Sequence, residues 1–400
     1  MISTDFAPNE FGDDALASLI TLFQPHLWRR GDELNLVKNK IESYFPGGKS
    51  VFFLSGRSAL SVLFSSLKLP KGSEVIVLGF TCEAVVLPVL YGRLKVVYVD
   101  IEKETYSIDI DDLQSKITLQ VKVIILQHTF GMVPKYRDRV LQLAKQKKLF
   151  VIEDLAHGFD PAFWQTQSLG ANQVLTLSFG RSKALSSVFG GAIITSDKNL
   201  FLKLRQIEAT LDFPSSTFLM KILCYKPLAV FIKSTYNILF IGKIIHKFIT
   251  ILGLMTAEIS QIEKRGEYDP YLKKKYPNAI AKLLLVQLNK FEAMREQRGI
   301  ISELYSKSFD VRRLMLDAFS RFPLLIKNKN TILNKLASKN IFLGSWYSQP
   351  VEPKELRLER VGYTIGSCPV AEQINKEIIN LPTLISINEA KIIVDMLSSP

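Results

Sequence analysis

An α/β fold with a mostly parallel sheet is predicted by three observations on this 400-residue sequence. From residue 51 onward, short runs of Val, Ile and Leu alternate with stretches of helical periodicity. These apolar runs are almost uninterrupted, which is typical of strands that are buried on both faces. The composition, 47% hydrophobic and 22% charged residues, is that of a globular chain with a large core. We therefore expect a seven-stranded type of sheet that is sandwiched between layers of helices.

The alternation assigns the strands of the large domain in order. They are predicted at 51–54, 74–80, 95–100, 121–128, 149–154, 174–179 and 190–197. Helices are predicted between them, most clearly over 58–67, through 83–92 and near 136–147.

The pattern changes after about residue 278. One long helix from 279 to 305 is followed by the elements of a smaller α+β domain, predicted as a strand at 322–327, a helix at 330–341, a strand near 342–347 and a closing helix at 387–397. We predict an N-terminal segment 1–50, a large α/β domain 51–277 with an apolar basic insertion at about 214–260, and a small C-terminal α+β domain 278–400.

Charge and cysteine content limit the classes of function. The net charge is +13 and the pI is near 9.4, but no recognisable nucleic-acid module or basic stripe with interleaved aromatics is present. The cysteines, Cys82, Cys224 and Cys368, are odd in number and widely spaced, which argues against disulfides and favours a reducing compartment. The four histidines are too scattered for a local metal motif. No signal peptide is visible. We therefore predict a cytoplasmic protein without nucleic-acid partners or a metal site.

Ligands of open α/β sheets bind at the carboxyl ends of the strands, and the stretch "FLSGRSAL" (53–60) lies at such an end. A strand, a glycine turn and a helix start follow one another there. Helix N-termini bind anions, and Gly56 would permit close approach of a phosphate. Taken alone, this stretch is better explained as an ordinary strand-to-helix turn.

The stretch "FVIEDLAHGF" (150–159) ends a second predicted strand in two carboxylates, Glu153 and Asp154, with His157 three residues later. A carboxylate held at a strand end can keep the nitrogen of a bound heterocycle protonated. The alternative is that both acids begin a solvated loop.

The third stretch, "LSFGRSKALSSVFGGAIIT" (177–195), places Lys183 between two predicted strands, two residues after Arg181 and five after Ser178. A lysine surrounded by small groups can act as a nucleophile and form a Schiff base. A surface lysine in a turn is the alternative. Taken together, a phosphate pocket, a strand-end carboxylate and a lysine, in this order, are what pyridoxal phosphate requires.

At these motifs the chain resembles the DegT/DnrJ/StrS family of pyridoxal-phosphate-dependent sugar aminotransferases, within fold type I. The family's phosphate motif SGTAAL corresponds to "SGRSAL", its VIEDAAQAHG to "VIEDLAHGFD", and its FSFHPTKNITTGEGG to "LSFGRSKALSSVFGG" without a gap. Further similar blocks are "SEVIVLGFTCEAV" (73–85), "VVYVDIEKETYSID" (96–109), "HTFG" (128–131) and the C-terminal "CPVAEQINKEIINLP" (368–382).

The resemblance implies roles for the matching positions. Lys183 would be the catalytic residue that carries the Schiff base and then moves the proton, Asp154 would pair with the pyridinium nitrogen, and His157 would contact the cofactor ring. The complete predicted cofactor-binding set is Gly56, Arg57, Ser58, Cys82, Asp154, His157, Ser178 and Lys183.

Several positions depart from the family pattern. Cys82 replaces the aromatic that stacks on the ring, Gly180 replaces a histidine, and Phe189 replaces a glutamate. Lys273 and Lys275 stand near the position of an asparagine that reaches the neighbouring subunit. One interpretation is that they serve the phosphate as point charges, and the other, which we favour, is that they lie on a solvated face.

The implied function is transfer of an amino group from a donor, expected to be glutamate, to a nucleotide-linked keto-sugar in polysaccharide or glycan biosynthesis by a homodimer. One alternative is a fold type I enzyme with another substrate, such as an amino acid or an acyl donor, for which Arg357 or Arg360 could bind a carboxylate. The other alternative is a catalytically silent homologue that keeps the fold.

Residues 217–257 form the insertion, with five lysines and no acidic residue. Apolar positions recur at roughly helical spacing, and Gly242 is predicted as a break between two helices. No uncharged run is long enough to span a bilayer. Two interpretations stay open: a basic amphipathic helix pair that lies on a membrane surface, or an apolar face that is buried in a subunit interface or the core.

Overall fold

The structure, a computed structural model, describes residues 1–251, 256–311 and 320–398, without the side chain of Thr250. The described strands are β1 Ile2–Ser3, β2 Lys49–Phe53, β3 Glu74–Leu78, β4 Thr81–Cys82, β5 Lys95–Val99, β6 Val121–Gln127, β7 Phe150–Asp154, β8 Gln173–Ser178, β9 Gly191–Thr195, β10 Arg321–Leu325, β11 Ile341–Phe342, β12 Val351–Glu352 and β13 Ile378–Pro382. The described α-helices are α1 Gly12–Leu22, α2 Glu33–Ser43, α3 Gly56–Leu67, α4 Glu83–Tyr91, α5 Ile110–Lys116, α6 Arg137–Lys147, α7 Pro161–Gln165, α8 Lys198–Thr210, α9 Ser216–Thr235, α10 Ile241–Ile251, α11 Gln261–Lys264, α12 Asn278–Asn289, α13 Phe291–Ser308, α14 Lys329–Ala337, α15 Pro369–Glu377 and α16 Ile387–Ser398.

The predicted seven-stranded, mostly parallel sheet is confirmed. Within the described residues its strand order is β2-β9-β8-β7-β6-β3-β5. Adjacent strands in the part of this order that runs β8-β7-β6-β3-β5 are parallel to each other. Strand β9 is antiparallel to both of its neighbours, β8 and β2. The loop 179–190 between β8 and β9 contains no helix, so the chain returns antiparallel without the crossover that a parallel pair needs.

Hydrophobic core covers both faces of the sheet, which is why the strands read as continuous apolar runs. Side chains alternate along each strand. In β2, Val51 and Phe53 belong to one core cluster, while Phe52 belongs to the other. The same alternation places Ile193 and Ile194 of β9 on opposite faces. The predicted fold class therefore follows from packing on two sides.

The prediction of one long helix after residue 278 is wrong in one respect, because the structure has two helices there, α12 and α13. They are interrupted at Lys290, whose backbone angles are φ −111° and ψ 12°. The two helices have different partners, since α12 packs on α1 and α2, whereas α13 packs on α16. The chain bends at Lys290 to reach both. The division into domains at residue 278 stays a prediction.

The strand predicted near 342–347 is reduced to the two residues of β11. Beyond it, of the described residues 343–347, only Gly344 pairs with a strand, as an isolated antiparallel bridge to Asn380 of β13, and the Trp346 N–H donates instead to the Asn380 side chain, at 2.7 Å from Oδ1. This segment is thereby free to turn its aromatic side chains toward the cavity described below.

The insertion forms two helices that differ in burial; residues 252–255 of it lie outside the described residues. Helix α9 packs along α1 and buries Leu219, Ile222 and Leu223 in the core. Most of the large apolar side chains of α10 are exposed. In the described residues no helix combines the length and apolarity that crossing a bilayer requires.

The predicted break at Gly242 is misplaced, because the helices are interrupted at 236–240 and Gly242 lies within α10. A Cβ at Gly242 would collide with the backbone of Ile232 and Tyr236. The glycine is therefore needed for the close crossing of α9 and α10, not for the turn.

Candidate active site

A cavity of about 220 Å³ lies beside the carboxyl ends of β7 and β8. It is walled by residues from the sheet, from the N-terminus of α3, from the loop 179–190 and from the segment around residue 346. The predicted site residues that line it are Gly56, Arg57, Cys82, Asp154, His157, Ser178 and Lys183. The structure therefore brings together in one cavity residues that are up to 127 positions apart (183 minus 56).

The N-terminus of α3 forms one end of the cavity. Ser55 caps the helix, its Oγ accepting the Ser58 N–H at 3.1 Å. A Cβ on Gly56 would lie 3.3 Å from Ser178 Cβ, so the glycine leaves a concave corner beside that serine. Ser58 itself does not line the cavity, and its Oγ donates to the carbonyl of Leu272. The corner is suited to an anion through its helix amides rather than through Ser58.

Arg57 extends from this corner into a buried cluster of acids. Its Nη1 lies 2.5 Å from Glu263 Oε1 and 3.7 Å from Glu83 Oε1, and its Nη2 donates to the Glu258 carbonyl at 2.6 Å. The Arg57 side chain is 8% exposed. Its guanidinium is thus already neutralised by residues of this chain, and two of them, Glu83 and Glu258, also line the cavity.

Burial raises the pKa of Glu83 to about 7, because the charge of Glu263 adds to desolvation while Arg57 opposes it. Glu83 Oε2 is buried and receives no hydrogen bond from the described residues. The raised pKa means that the folded chain keeps a proton at Glu83 in a pH range where the unfolded chain has released it.

We expect the free energy of unfolding of the apo protein to fall as the pH rises from about 4.5 to about 7, because only the folded state binds this proton in that window. The substitution Glu83→Gln should remove this slope. Urea unfolding at pH 5, 6, 7 and 8 measures it. Identical slopes in wild type and Glu83→Gln would contradict the assignment.

The two carboxylates that end β7 point to opposite faces of the sheet. Glu153 is paired with Arg137, at 2.7 Å from Nε, and with His128 Nε2 at 2.8 Å. Despite burial, these partners lower the pKa of Glu153 to about 2. Glu153 is therefore a structural ion-pair residue, not a solvated loop residue.

Asp154 lines the cavity and is 5% exposed. Its Oδ1 accepts the Ala156 N–H at 3.0 Å and the Thr176 hydroxyl at 3.3 Å, whereas no donor of the described residues reaches Oδ2. Burial raises the pKa of Asp154, although the charge of Lys183 opposes the shift. One carboxylate oxygen is thus available to a cationic or N–H group in the cavity.

His157 is held as a neutral ring with a defined tautomer. Its Nδ1 accepts the Phe130 N–H at 2.9 Å, so the proton resides on Nε2, which is 2.9 Å from Tyr347 Oη. Burial, with the charges of Lys183 and Arg321, lowers the pKa of His157 well below its usual value. Its Nε2–H therefore donates to the Tyr347 hydroxyl, which faces the cavity.

Lys183 places its Nζ 4.6 Å from the centre of the Trp346 ring. The guanidinium of Arg321 lies 3.4 Å from the centre of the same ring, and Arg321 Nη1 pairs with Asp5 Oδ1 at 2.7 Å. Trp346 and Asp5 line the cavity. The amine is thus held at an aromatic wall inside the cavity and not on an open surface.

Beneath the loop that carries Lys183 lies a buried polar network. Lys226 of α9 pairs with Glu10 at 3.2 Å and with Asp14 at 3.4 Å, all three side chains being 0% exposed. Lys226 also donates to the Ser186 carbonyl at 3.0 Å. A lysine of the insertion therefore links the N-terminal segment to the Lys183 loop.

Other predicted residues lie outside the cavity. Lys273 and Lys275 are half-buried, not fully solvated as expected, and Lys275 Nζ donates to the Ala209 carbonyl at 2.8 Å. Neither lysine is among the lining residues. Arg357 and Arg360 are exposed and also line no part of this cavity.

Sequence reasoning did not find several lining residues. Trp346 and Tyr347 belong to the small-domain segment, where no strand end marks a site, and Asp5 belongs to the N-terminal segment. Glu83 could have been noticed, because it is the one acid at the start of the apolar stretch "EAVVLPVLYG". Glu258 follows the insertion and carries no motif.

A fold of this kind, with a lysine and a strand-end carboxylate in one cavity above the sheet, defines the class of fold type I enzymes. The sequence model of the DegT/DnrJ/EryC1/StrS aminotransferase family matches residues 10–211 and 259–398. The chain belongs to this family. The match leaves out 212–258, which contains α9 and α10.

Individual proteins agree with this membership. The chain is 32% identical over 147 residues to GDP-perosamine synthase of Escherichia coli O157:H7, which is 37% of this chain and 40% of that protein. It is 32% identical over 178 residues to UDP-2-acetamido-2-deoxy-3-oxo-D-glucuronate aminotransferase of Pseudomonas aeruginosa, 44% of this chain and 49% of that protein. The matched stretches thus span less than half of each relative.

Among solved structures, an aminotransferase of pseudoaminic acid biosynthesis from Helicobacter pylori superimposes with a TM-score of 0.71 at 18% identity, covering 98% of both chains. At this identity the likeness shows the fold.

Family membership makes pyridoxal phosphate the cofactor, and the cavity fits it at three points. Lys183 supplies an amine, Asp154 has an available carboxylate oxygen, and the corner between Gly56 and Ser178 has room for an anion beside helix amides. Arg57 fits less directly, because its guanidinium is bound by acids of this chain. The predicted cofactor roles of the individual residues stay predictions.

Proposed function

We propose that this chain is a pyridoxal-phosphate-dependent aminotransferase that aminates a nucleotide-linked keto-sugar. The observation that carries the proposal is that Lys183 and Asp154 line one cavity at the carboxyl ends of the strands. Bound pyridoxal phosphate supplies an electron sink for the carbanion that forms when a C–H bond beside an amine is broken.

The residues of this chain have distinct tasks in the proposal. Lys183 Nζ attaches the cofactor and, once released, moves the proton at the substrate carbon. Asp154 Oδ2 holds the proton on the ring nitrogen through its negative charge. The N-terminus of α3 at Gly56, with Ser178, binds the phosphate.

His157 and Tyr347 act as a hydrogen-bonded pair at the same cavity wall. Since His157 is neutral and donates through Nε2, it orients the Tyr347 hydroxyl, whose own proton then points away from the histidine. Tyr347 can thus donate a hydrogen bond to an oxygen of the bound cofactor or substrate.

The substrate class is supported by the names of the relatives, which include GDP- and UDP-sugar aminotransferases. The alternative of an ordinary amino-acid substrate would use Arg357 or Arg360, and both are exposed outside the cavity lining. Arg321, a buried arginine that stacks on the Trp346 ring, is already paired with Asp5. These contacts favour the sugar.

The proposal includes glutamate as amino donor, a homodimer as the working assembly and the cytoplasm as its compartment. The free state of Cys82, Cys224 and Cys368 is compatible with a reducing compartment. Half-reactions with glutamate, glutamine and alanine test the donor, and light scattering of the loaded protein tests the dimer.

The decisive experiment follows the two halves of the reaction separately. Cofactor-loaded protein is mixed with glutamate, the change in cofactor absorbance is recorded, and a panel of nucleotide-linked keto-sugars is then added while product mass is measured. A product whose mass corresponds to a sugar in which the ketone has been replaced by an amine supports the proposal. Amination of free keto acids alone would contradict it, and an absent absorbance band would favour a silent homologue.

We expect Asp154→Asn to reduce kcat/KM by at least about 100-fold, because the neutral amide no longer holds the proton on the ring nitrogen. The exposed Asp111→Asn serves as the control and should match wild type. Steady-state kinetics with the accepted sugar measures the effect. Turnover of Asp154→Asn within twofold of wild type would refute this role.

A further inference from the structure

The turn after α9 and the helix α10 expose a continuous set of large apolar side chains. We define the α10 patch as these seven residues. They are Ile238, Leu239, Phe240, Ile241, Ile244, Phe248 and Ile251, with exposed fractions between 38% for Ile241 and 82% for Leu239. Apolar patches of this extent mark an interaction surface.

One edge of the apolar face of α10 is already used for packing. Ile249 joins a small core cluster with Ile232 and Tyr236, and the ring of His246 lies 4.7 Å from that of Phe6. Ile241, Ile244, Phe248 and Ile249 recur at the spacing of a single helix face, and the first three of them are exposed. The apolar face of an amphipathic helix is ordinarily covered, so its exposed part fits a partner that is not part of this chain.

The charge of the segment indicates which partner. No aspartate or glutamate occurs between residues 213 and 257. Lys243 and Lys247 of α10 are exposed, whereas Lys226 is buried and the Lys233 amine donates to the Ala7 carbonyl. The α10 patch is therefore accompanied by two exposed lysines of the same helix, and the segment contains no acid to balance their charge.

We propose that the α10 patch docks this protein on the surface of an anionic lipid bilayer. Apolar side chains that enter the acyl boundary and lysines that contact lipid phosphates are the two contributions that hold an interfacial helix. A second copy of the chain fits less well, because a twofold contact would place the same lysines against each other. Helix α10 has 11 residues, too few to cross a bilayer, so it lies in the plane of the interface.

Helix α9 is not part of this surface. Its residues Leu219, Leu223 and Ala229 are 0% exposed, and they pack in the core together with α1. The two interpretations of the insertion thus apply to different helices: α9 buries one face in the core, although Met220 and Phe231 are partly exposed, and α10 with its preceding turn is the membrane-docking element.

Flotation of the full chain with vesicles tests the proposal. Vesicles of phosphatidylcholine alone are compared with vesicles that also contain phosphatidylglycerol. We expect recovery with the anionic vesicles, loss of recovery at high salt, and little binding to neutral vesicles. Phe248→Gln should weaken partitioning by at least about tenfold, and Lys243→Glu with Lys247→Glu by about fivefold per lysine.

Matched variants separate docking from misfolding. Phe23, the residue directly after α1, is 81% exposed, and Phe23→Gln should float as wild type does. The exposed Lys103→Glu is the charge control. Circular dichroism and cofactor absorbance establish that each variant is folded. Phe248→Trp supplies a second readout, since its fluorescence should be quenched by brominated acyl chains beyond the quenching of the native tryptophans.

Three outcomes would overturn the proposal. They are absence of flotation with anionic vesicles, unchanged flotation of Phe248→Gln, and equal binding to neutral and anionic vesicles. If vesicles do not bind and Phe248→Gln converts an oligomer to a smaller species in light scattering, the patch is a contact between copies. Neither result depends on the aminotransferase activity, which is measured separately.

Discussion

Replacement of Lys183 by alanine is expected to lower turnover by about 1,000-fold or more, because one amine both attaches the cofactor and moves the proton. Lys183 lies at the Trp346 ring inside the cavity. Among the described residues that line the cavity it is the one lysine, so no second side-chain amine can replace it. Kinetics with glutamate and the accepted sugar measures the loss.

Borohydride reduction followed by peptide mapping gives a readout that is independent of turnover. The label should be found on the peptide that contains Lys183 in wild type and should be absent from Lys183→Ala. Lys275→Ala is a suitable control, because this lysine lies outside the cavity lining. A label on another lysine of wild type would show that the wrong residue is assigned.

Replacement of Lys226 by methionine is expected to lower the free energy of unfolding by about 3–5 kcal/mol, the usual effect of removing one partner from a buried ion pair. Glu10 would keep only neutral donors, such as Ser186 Oγ at 2.9 Å, in a site that is 0% exposed. Urea denaturation measures the change.

The loss should be partly reversed in the double variant Lys226→Met with Glu10→Gln, because the unpaired charge is then removed. Lys221→Met, on the same helix but only partly buried, should change the free energy of unfolding by less than about 0.5 kcal/mol. If Lys226→Met unfolds at the same urea concentration as wild type, the network does not support the Lys183 loop energetically.

The sheet could be predicted because its signal is local. Each strand is a short apolar run, and the alternation with helices is compatible with few topologies. The errors occurred where tertiary contacts decide. Lys290 interrupts a helix whose two halves pack on different partners, and the Asn380 side chain replaces a strand partner for Trp346.

The part of the site that could be predicted consists of residues that lie at or shortly after the ends of predicted strands. Asp154 and Lys183 flank such ends, and both line the cavity. The ion pairing of Arg57 was not predictable, because Glu83 and Glu263 are 26 and 206 residues away (83 minus 57, 263 minus 57) and approach it only after folding. The small-domain wall was missed for the same reason, since side chains such as Tyr347 meet the sheet through tertiary packing.

The walls of the cavity come from parts of the chain as far apart in sequence as Asp5 and Glu352. A ribosome releases these residues at very different times, and domains form in order as the chain emerges. A nascent chain cannot close this compartment until residue 352 has left the exit tunnel. We therefore expect a product that terminates before that residue to lack one wall of the compartment and to bind pyridoxal phosphate poorly.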